Sequence, residues 1–325
     1  MFLLVDFLNL AYRSFYAIRE LSNSKGQPTN AVYGFIQSIR RSLEELKPTH
    51  VAMVLDAETP KRRLEILPTY KANRPPTPDA LISQLKILTD MFPLLGWPTA
   101  LDPAEEADDL AAAIALAAAR ANHEVRIASN DKDFLQILSP KIKMLRSTPK
   151  ETVLVDEAWL KDRWAIQPSQ VADFLALIGD KVDNIPGAPG VGEKTATDLI
   201  RQFGSVENIL NRLEEVTRPK VRESLREHGD QIRRNLQLIR LNPIPNLPPL
   251  DTFRLQPAKY ESLLDVLAAM EFKTLYSRYD DERRQAASIH STKAQDGEQS
   301  RTTSSGLAPT GIAGQAKTAR QGFLF

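Results

Sequence analysis

Nine acidic residues fall in four separated clusters along this chain: Asp6 and Asp56; Glu106, Asp108 and Asp109; Asp131 and Asp133; Asp180 and Asp183. Each sits at the end of a short apolar run or near the start of a helical pattern. So many carboxylates cannot share one pocket unless cations neutralise them. A fold that gathers them is most simply a site for two or more hard divalent metals, which take oxygen ligands. That chemistry is phosphoryl transfer, and the basic residues between the clusters point to nucleic acid as the substrate. Any single aspartate of the set reads as plainly as a helix cap or turn residue. Four clusters at equivalent places in successive strand–helix units do not.

The elements that must position these groups follow from the apolar pattern. Short runs at 2–6, 51–56, 125–129 and 142–145 alternate with helical stretches at 31–46, 79–95 and 105–121. This predicts an α/β fold with a mostly parallel central sheet flanked by helices. In open sheets of that kind ligands bind outside the carboxyl ends of the strands, where Asp6, Asp56 and Asp131 are expected. Glu106, Asp108 and Asp109 open a helix, where the macrodipole favours acids. Their spacing spreads them over the first turn, so only some of them can face one ion. The pattern divides the chain into an α/β core over 1–165, a helical region over 166–280 and a tail over 281–325. That tail is rich in Ser, Thr, Gln, Gly and Ala and is expected to be disordered.

Composition bounds the class. The chain has 325 residues, 42% hydrophobic and 26% charged, and no cysteine. Disulfide scaffolds, thiolate metal sites and cysteine nucleophiles are therefore excluded. The start lacks the basic leader and apolar run of a signal peptide, and no stretch reaches the roughly 18 apolar residues of a membrane span. A cytoplasmic protein without a membrane partner is expected. The net charge of +1 decides nothing, because an acidic pocket can cancel basic tracks in the sum.

Together, Val5-Asp6, Val54-Leu55-Asp56, Glu106-Ala107-Asp108-Asp109, Asp131-Lys132-Asp133 and Gly179-Asp180-Lys181-Val182-Asp183-Asn184-Ile185-Pro186-Gly187 resemble the 5′→3′ exonuclease (flap endonuclease) family in order and spacing. The likeness is to the amino-terminal nuclease domain of bacterial DNA polymerase I, and it runs nearly continuously from Phe2 to about Lys273. No polymerase region follows, so a free-standing nuclease is expected. The resemblance implies a PIN-like core with a helical arch over 58–86, and a helical DNA-binding subdomain with a helix-hairpin-helix variant. It implies phosphodiester hydrolysis with Mg2+, or Mn2+ in its place. Asp6, Asp56, Glu106 and Asp108 would serve one ion, with Asp131 bridging or close by. Asp133, Asp180 and Asp183 would serve the second, with Asp109 one layer behind. Two positions depart from the family's usual glycine, Phe7 after the first aspartate and Asn130 before Asp131, but no implied ligand is missing.

The segment Tyr70-Lys71-Ala72-Asn73-Arg74-Pro75-Pro76 follows the family's Tyr-Lys-x-x-Arg-Pro-Pro signature in the arch. Lys71 and Arg74 lie three apart and on a helix would share a face. The resemblance makes them contacts to the scissile phosphate, Tyr70 a stacking partner for a base and Arg13 a group near the cleavage site. One of Lys61, Arg62 and Arg63 matches a family arginine at the same opening. The run Gly187-Ala188-Pro189-Gly190-Val191-Gly192-Glu193-Lys194-Thr195 nearly spells a nucleotide-binding loop. Glu193 interrupts the motif, however, and Pro189 removes an amide donor. It resembles instead the family's hairpin, in which Gly187, Gly190, Val191, Gly192, Lys194 and Thr195 would meet duplex phosphates and K+ can be held. Further along, Arg218, Lys220, Arg222 and Arg226 either extend that track or solvate a helix.

The last residues, Gln321-Gly322-Phe323-Leu324-Phe325, resemble the Gln-x-x-Leu-Phe peptides that dock on bacterial sliding clamps, with Gln321, Leu324 and Phe325 as anchors. The resulting expectation is a monomeric, structure-specific 5′→3′ exonuclease and flap endonuclease. Its substrate is DNA with a 5′ flap or a 5′ end at a duplex junction, in Okazaki-fragment RNA primer removal and DNA repair. Two alternatives stay open: a metal-dependent ribonuclease, and a structure-specific DNA-binding protein without catalysis.

Overall fold

The structure, a computed structural model, describes residues 1–56, 61–148 and 151–302, with side chains up to residue 288. Its centre is β1 (Phe2–Asp6). On one side lie β2 (His50–Val54) and β3 (Thr99–Ala100), on the other β4 (Val125–Ala128), β5 (Ile142–Ser147) and β6 (Thr152–Val155). The order is β3-β2-β1-β4-β5-β6, parallel throughout except for the β5–β6 pair. The direction of strand addition reverses between β1 and β4, which opens a crevice at their carboxyl ends.

Strands β1 and β2 are buried along nearly their whole length, as continuous apolar runs are in a parallel sheet covered on both faces. Side-chain alternation turns Phe2 and Leu4 to one face, Leu3 and Val5 to the other. The Leu3 and Val5 face lies under α1 (Phe7–Ala17), α2 (Asn30–Leu46) and α4 (Asp79–Leu95), while the short α3 (Lys61–Ile66) lies near the rim. Phe7, Phe35 and Phe92 meet there with ring centroids 5.3 to 5.7 Å apart. Burying each such ring contributes about 1.5–3 kcal/mol. The Phe2 and Leu4 face packs on α5 (Ala107–Arg120), whose buried Ala111, Ala112, Ala115 and Ala118 let the helix approach closely.

After α6 (Glu157–Trp164) the chain becomes helical. The helices α7 (Val171–Ile178) and α8 (Glu193–Phe203) flank a two-stranded turn of β7 (Gly179–Asp180) and β8 (Ile185–Pro186). They are followed by α9 (Val206–Asn211), α10 (Pro219–Glu227), α11 (Gly229–Ile239) and α12 (Tyr260–Ala269). Asn235 on α11 donates to the carbonyls of Ala176 at 3.1 Å and Pro186 at 2.7 Å, fixing the hairpin turn to the helices behind it. The whole of Met1–Phe272 forms one compact unit, so the two regions expected on either side of residue 165 share a continuous core.

The second unit begins at Lys273 with α13 (Lys273–Thr302). Composition predicts disorder from 281, yet the backbone is helical to Thr302. Lack of large apolar residues forbids a core of this segment's own but does not forbid a helix. It holds no Pro and many good helix formers, and Asp280 pairs with Arg283 and Arg284, both at 2.7 Å. Residues 303–325, including the clamp-like Gln321, Leu324 and Phe325, lie outside the described residues. Among the described residues no helix is long and apolar enough to cross a membrane.

Candidate active site

The nine carboxylates converge on the crevice at the β1/β4 switch point. Asp6 closes β1 and caps α1, accepting from the Asn9 amide at 3.3 Å and the Ser129 hydroxyl at 2.7 Å. Asp56 follows β2 and accepts from the Ala107 amide at 3.2 Å. Glu106 stands at the N-cap of α5, with Asp108 and Asp109 in its first turn. Asp131 follows β4, caps a short 3-10 turn and accepts from the Asp133 amide at 3.0 Å. Asp180 ends β7, and Asp183 lies in the turn before β8.

Their carboxyls act on one another as members of one cluster. Burial, with Asp131 and Asp56 nearby, pushes the Asp6 carboxyl up to about 7. Burial raises Asp56 as well. Burial and mutual repulsion raise Asp108, Asp131 and Asp133, with Asp133 feeling Asp131, Asp108, Asp183 and Asp180 at once.

Cations from the surrounding elements hold this charge apart. Arg63, 3% exposed at the end of α3's first turn, reaches Glu106 at 2.6 Å, Asp109 at 2.9 Å and Asp108 at 3.5 Å, and donates to the Leu238 carbonyl at 2.9 Å. Lys71 pairs with Glu106, Arg74 with Asp183 at 2.6 Å, and Lys132 with Asp180 at 3.1 Å. Burial lowers the Lys71 ammonium, but Glu106 and Asp183 outweigh it and leave its affinity for the proton raised. With these cations in place, no three carboxylates among the described residues already stand at ligand-like spacing. The cluster nonetheless fits divalent ions chemically. It is all hard oxygen, and Asp133 Oδ1 is buried without a hydrogen-bond partner. A cation would satisfy that atom. Asp109 is different: its two oxygens accept from Arg63 and from the backbone and side chain of Asn242 at 2.7 and 3.0 Å. It positions α5 and Arg63, and both of its oxygens are already engaged.

Other expectations are corrected by the backbone. Within the arch segment, residues 61–86 are helical in α3 and the start of α4 and non-helical between them, where Pro68, Pro75, Pro76 and Pro78 break the helix; residues 58–60 lie outside the described residues. Lys71 adopts a left-handed φ of 57° in a turn, so it and Arg74 do not share a helix face. They still point into one acid cluster, because the turn docks on the 181–184 loop. The Lys71 amide donates to the Asp183 carbonyl at 3.0 Å, and Asn73 donates to the Lys181 carbonyl at 2.7 Å. Tyr70 is 4% exposed, so its ring cannot stack on a base; its hydroxyl lies 3.3 Å from Asp183 instead. Arg13 reaches the rim from α1 and donates to the Thr148 carbonyl at 2.6 Å.

The two departures from glycine have local explanations. Phe7 belongs to the aromatic cluster under the sheet. Asn130 exchanges hydrogen bonds with Ser147 at the end of β5, both at 2.9 Å, and so holds the Asp131 loop to the sheet edge. Lys132, Ser129, Asn9 and Asn242 were not singled out from sequence. Only Lys132 carried a signal, its place between Asp131 and Asp133.

The hairpin between α7 and α8 has two kinds of glycine. A Cβ on Gly187 would lie 2.2 Å from the Ile178 carbonyl oxygen, so that residue is needed for packing. A Cβ at Gly190 or Gly192 would meet nothing within 4 Å, so those two face open space. Val191 is buried and its amide already donates to Ala188, which corrects its expected place on the DNA face. Lys194 is exposed, while Thr195 accepts from Arg218 at 3.1 Å. Arg218, Arg222 and Arg226 pair with Asp198, Glu214 and Glu223, which fits a solvated helix better than a continuous basic track.

Comparison with known proteins decides the family. Residues 1–165 match the family model described as 5'-3' exonuclease, N-terminal resolvase-like domain, and residues 166–261 match 5'-3' exonuclease, C-terminal SAM fold. The chain belongs to the 5′-3′ exonuclease family. A 5'-3' exonuclease of Aquifex aeolicus is 33% identical over 289 residues, covering 87% of this chain and 96% of that protein. The thermostable DNA polymerase I of Thermus thermophilus is 38% identical over 278 residues. That match covers 85% of this chain but 33% of the polymerase, so the chain spans about a third of the polymerases it matches. A solved structure of the bacteriophage T5 flap endonuclease, in complex with DNA and metal ions, superposes with a TM-score of 0.63 at 26% identity, over 74% of this chain and 89% of the phage protein. Family and fold therefore agree: a mostly parallel sheet with flanking helices, joined to a SAM-like helical region.

Proposed function

We propose that this chain is a structure-specific 5′→3′ exonuclease and flap endonuclease that hydrolyses DNA phosphodiesters with two divalent ions, Mg2+ or Mn2+. The observation that carries the proposal is the convergence of the acid clusters on one crevice around the orphaned Asp133 Oδ1. Asp6, Asp56, Glu106, Asp108 and Asp131 would hold one ion, and Asp133, Asp180 and Asp183 the other. Bound there, the ions supply an activated water and offset charge on the departing oxygen.

The chain's own groups do the remaining work. Arg63 and Asn242 fix the first turn of α5, so that Glu106 and Asp108 keep their aim. Lys71 and Arg74 now neutralise Glu106 and Asp183. With divalent ions in the crevice, Lys71 and Arg74 would be free to meet the scissile phosphate, where cations stabilise charge that develops in the transition state. The exposed start of α8, with Gly190, Gly192 and Lys194, offers amides and a cation to duplex phosphates. Such contacts read DNA shape, which suits a junction. A K+ ion held in this hairpin, clamp docking through Gln321, Leu324 and Phe325, and cytoplasmic action as a monomer in primer removal and repair belong to the same proposal.

A 5′-labelled flap duplex tests the reading. Short products released near the junction with Mg2+, and none with chelator, support it. Tight binding without cleavage would leave a non-catalytic DNA-binding protein.

A further inference from the structure

Beside the acid crevice lies a second cavity of about 190 Å³, between the β5–β6 edge, α6 and the start of α8. Its walls include Lys132, Arg146, Trp159, Arg163 and Trp164, with Glu193 at one side. Three of these residues are cations and only one is an acid. Two of the cations are already engaged, Lys132 with Asp180 and Arg163 with Glu193 at 3.5 Å. Arg146 is not: among the described residues its guanidinium has no carboxylate partner. It lies over the Trp159 ring, 5.9 Å from the centroid, a stacking that orients a planar guanidinium while leaving its N–H fork free. The Trp164 indole nitrogen is buried with no acceptor among the described residues.

Position adds to chemistry. Lys132 lies between two acids of the proposed cleavage centre, Asp131 and Asp133, whereas Glu193 is the first residue of the helix whose start is proposed to meet duplex phosphates. The cavity therefore bridges the two. Its volume suits one base, or one phosphate with its sugar, and is too small for a duplex.

We infer that this cavity is a single-nucleotide subsite for the DNA strand running from the cleavage centre to the hairpin, with the nucleotide's phosphate on Arg146 and its base or sugar against the tryptophan wall. This rests on the nucleic-acid reading above but does not require that the chain cut DNA. Arg146 acts in it as a binding and positioning residue, since it touches no acid of the cleavage centre.

The test is anisotropy binding of a labelled flap duplex in chelator, so that no cleavage intervenes. Arg146→Gln is expected to weaken binding about tenfold, within the range of a lost charge-assisted contact. It should also reduce the slope of log affinity against log salt by about one. Arg146→Lys should restore the salt slope but only part of the affinity, and Arg41→Gln, on an exposed face of α2, should change neither. Methylphosphonate placed at successive phosphates then locates the contact: at one position the neutral linkage should weaken the wild type but cost Arg146→Gln nothing further. Unchanged binding in Arg146→Gln, or losses that add at every phosphate, overturns the subsite. A wild type that binds with this pattern but never cuts in Mg2+ overturns the proposed function and leaves the subsite standing.

Discussion

The acid crevice and the hairpin turn treat polar groups in opposite ways. In the crevice, carboxylates are crowded and half-buried to buried; Arg63, Lys71, Arg74 and Lys132 pair with Glu106, Asp108, Asp109, Asp180 and Asp183, while Asp6, Asp56 and Asp131 rest on backbone and hydroxyl donors. In the hairpin, Gly190 and Gly192 are exposed, and a Cβ on either would meet nothing within 4 Å. The first arrangement stores unfavourable charge that a bound cation can relieve. The second costs little and waits for a partner from outside. A region built for chemistry is strained in its electrostatics, and a region built for docking is simply uncovered.

The strongest way to break this contrast is to remove charge from the crevice. Asp131→Asn is expected to lower single-turnover cleavage in Mg2+ by about a thousandfold or more, which is about 4 kcal/mol of barrier. In chelator the same variant should unfold at a higher temperature than the wild type, because one repelling carboxylate is gone. A variant that loses activity and stability together would argue that the acids are ordinary structural groups.

Arg63→Ala removes the opposite partner. Glu106, Asp108 and Asp109 would then be left without their shared guanidinium, and breaking a buried pair of this kind costs about 3–5 kcal/mol. Urea unfolding in chelator measures it, and Mg2+ should restore part of the loss.

The pH dependence follows from Asp6. Its folded carboxyl titrates near 7 against an ordinary 3.8, so between those values the folded state holds a proton that the unfolded state has released. Stability of the chelated protein should therefore fall as pH rises from about 4 to about 7, by at most about 4 kcal/mol from this group. The raised Asp56, Asp108, Asp131 and Asp133 act in the same direction. Divalent metal favours the ionised form, so its stabilising effect should be larger at pH 8 than at pH 5.5. Thermal unfolding at both pH values, with and without Mg2+, checks the sign.

The smallest effects belong to the hairpin. Gly192→Ala should leave the melting temperature nearly unchanged, since its φ is −94° and its surroundings are open, but should weaken duplex binding several-fold if phosphates approach that backbone. Gly187→Ala should do the reverse, because its Cβ would strike the Ile178 carbonyl.

The strands and the acid clusters were legible because both depend on local pattern: apolar runs ending in aspartate, and acids opening a helix. The conformation of the Tyr70 to Arg74 turn was not. Spacing alone suggested a shared helical face, whereas the prolines around it and its docking on the 181–184 loop set a left-handed Lys71 and a buried Tyr70. Val191 was misplaced for a related reason: a motif names residues without saying which atoms face outward. The helix continuing to Thr302 shows that composition judges whether a segment can pack, and much less well whether its backbone can coil.

The most direct test of the central claim is a titration of Mn2+ into the DNA-free protein, with bound ions counted per chain for the wild type and for Asp133→Asn. The account predicts two ions for the wild type and loss of at least one in the variant, with secondary structure unchanged. Equal binding by the two proteins, or no binding by the wild type, would contradict the claim that this crevice is a divalent-cation centre.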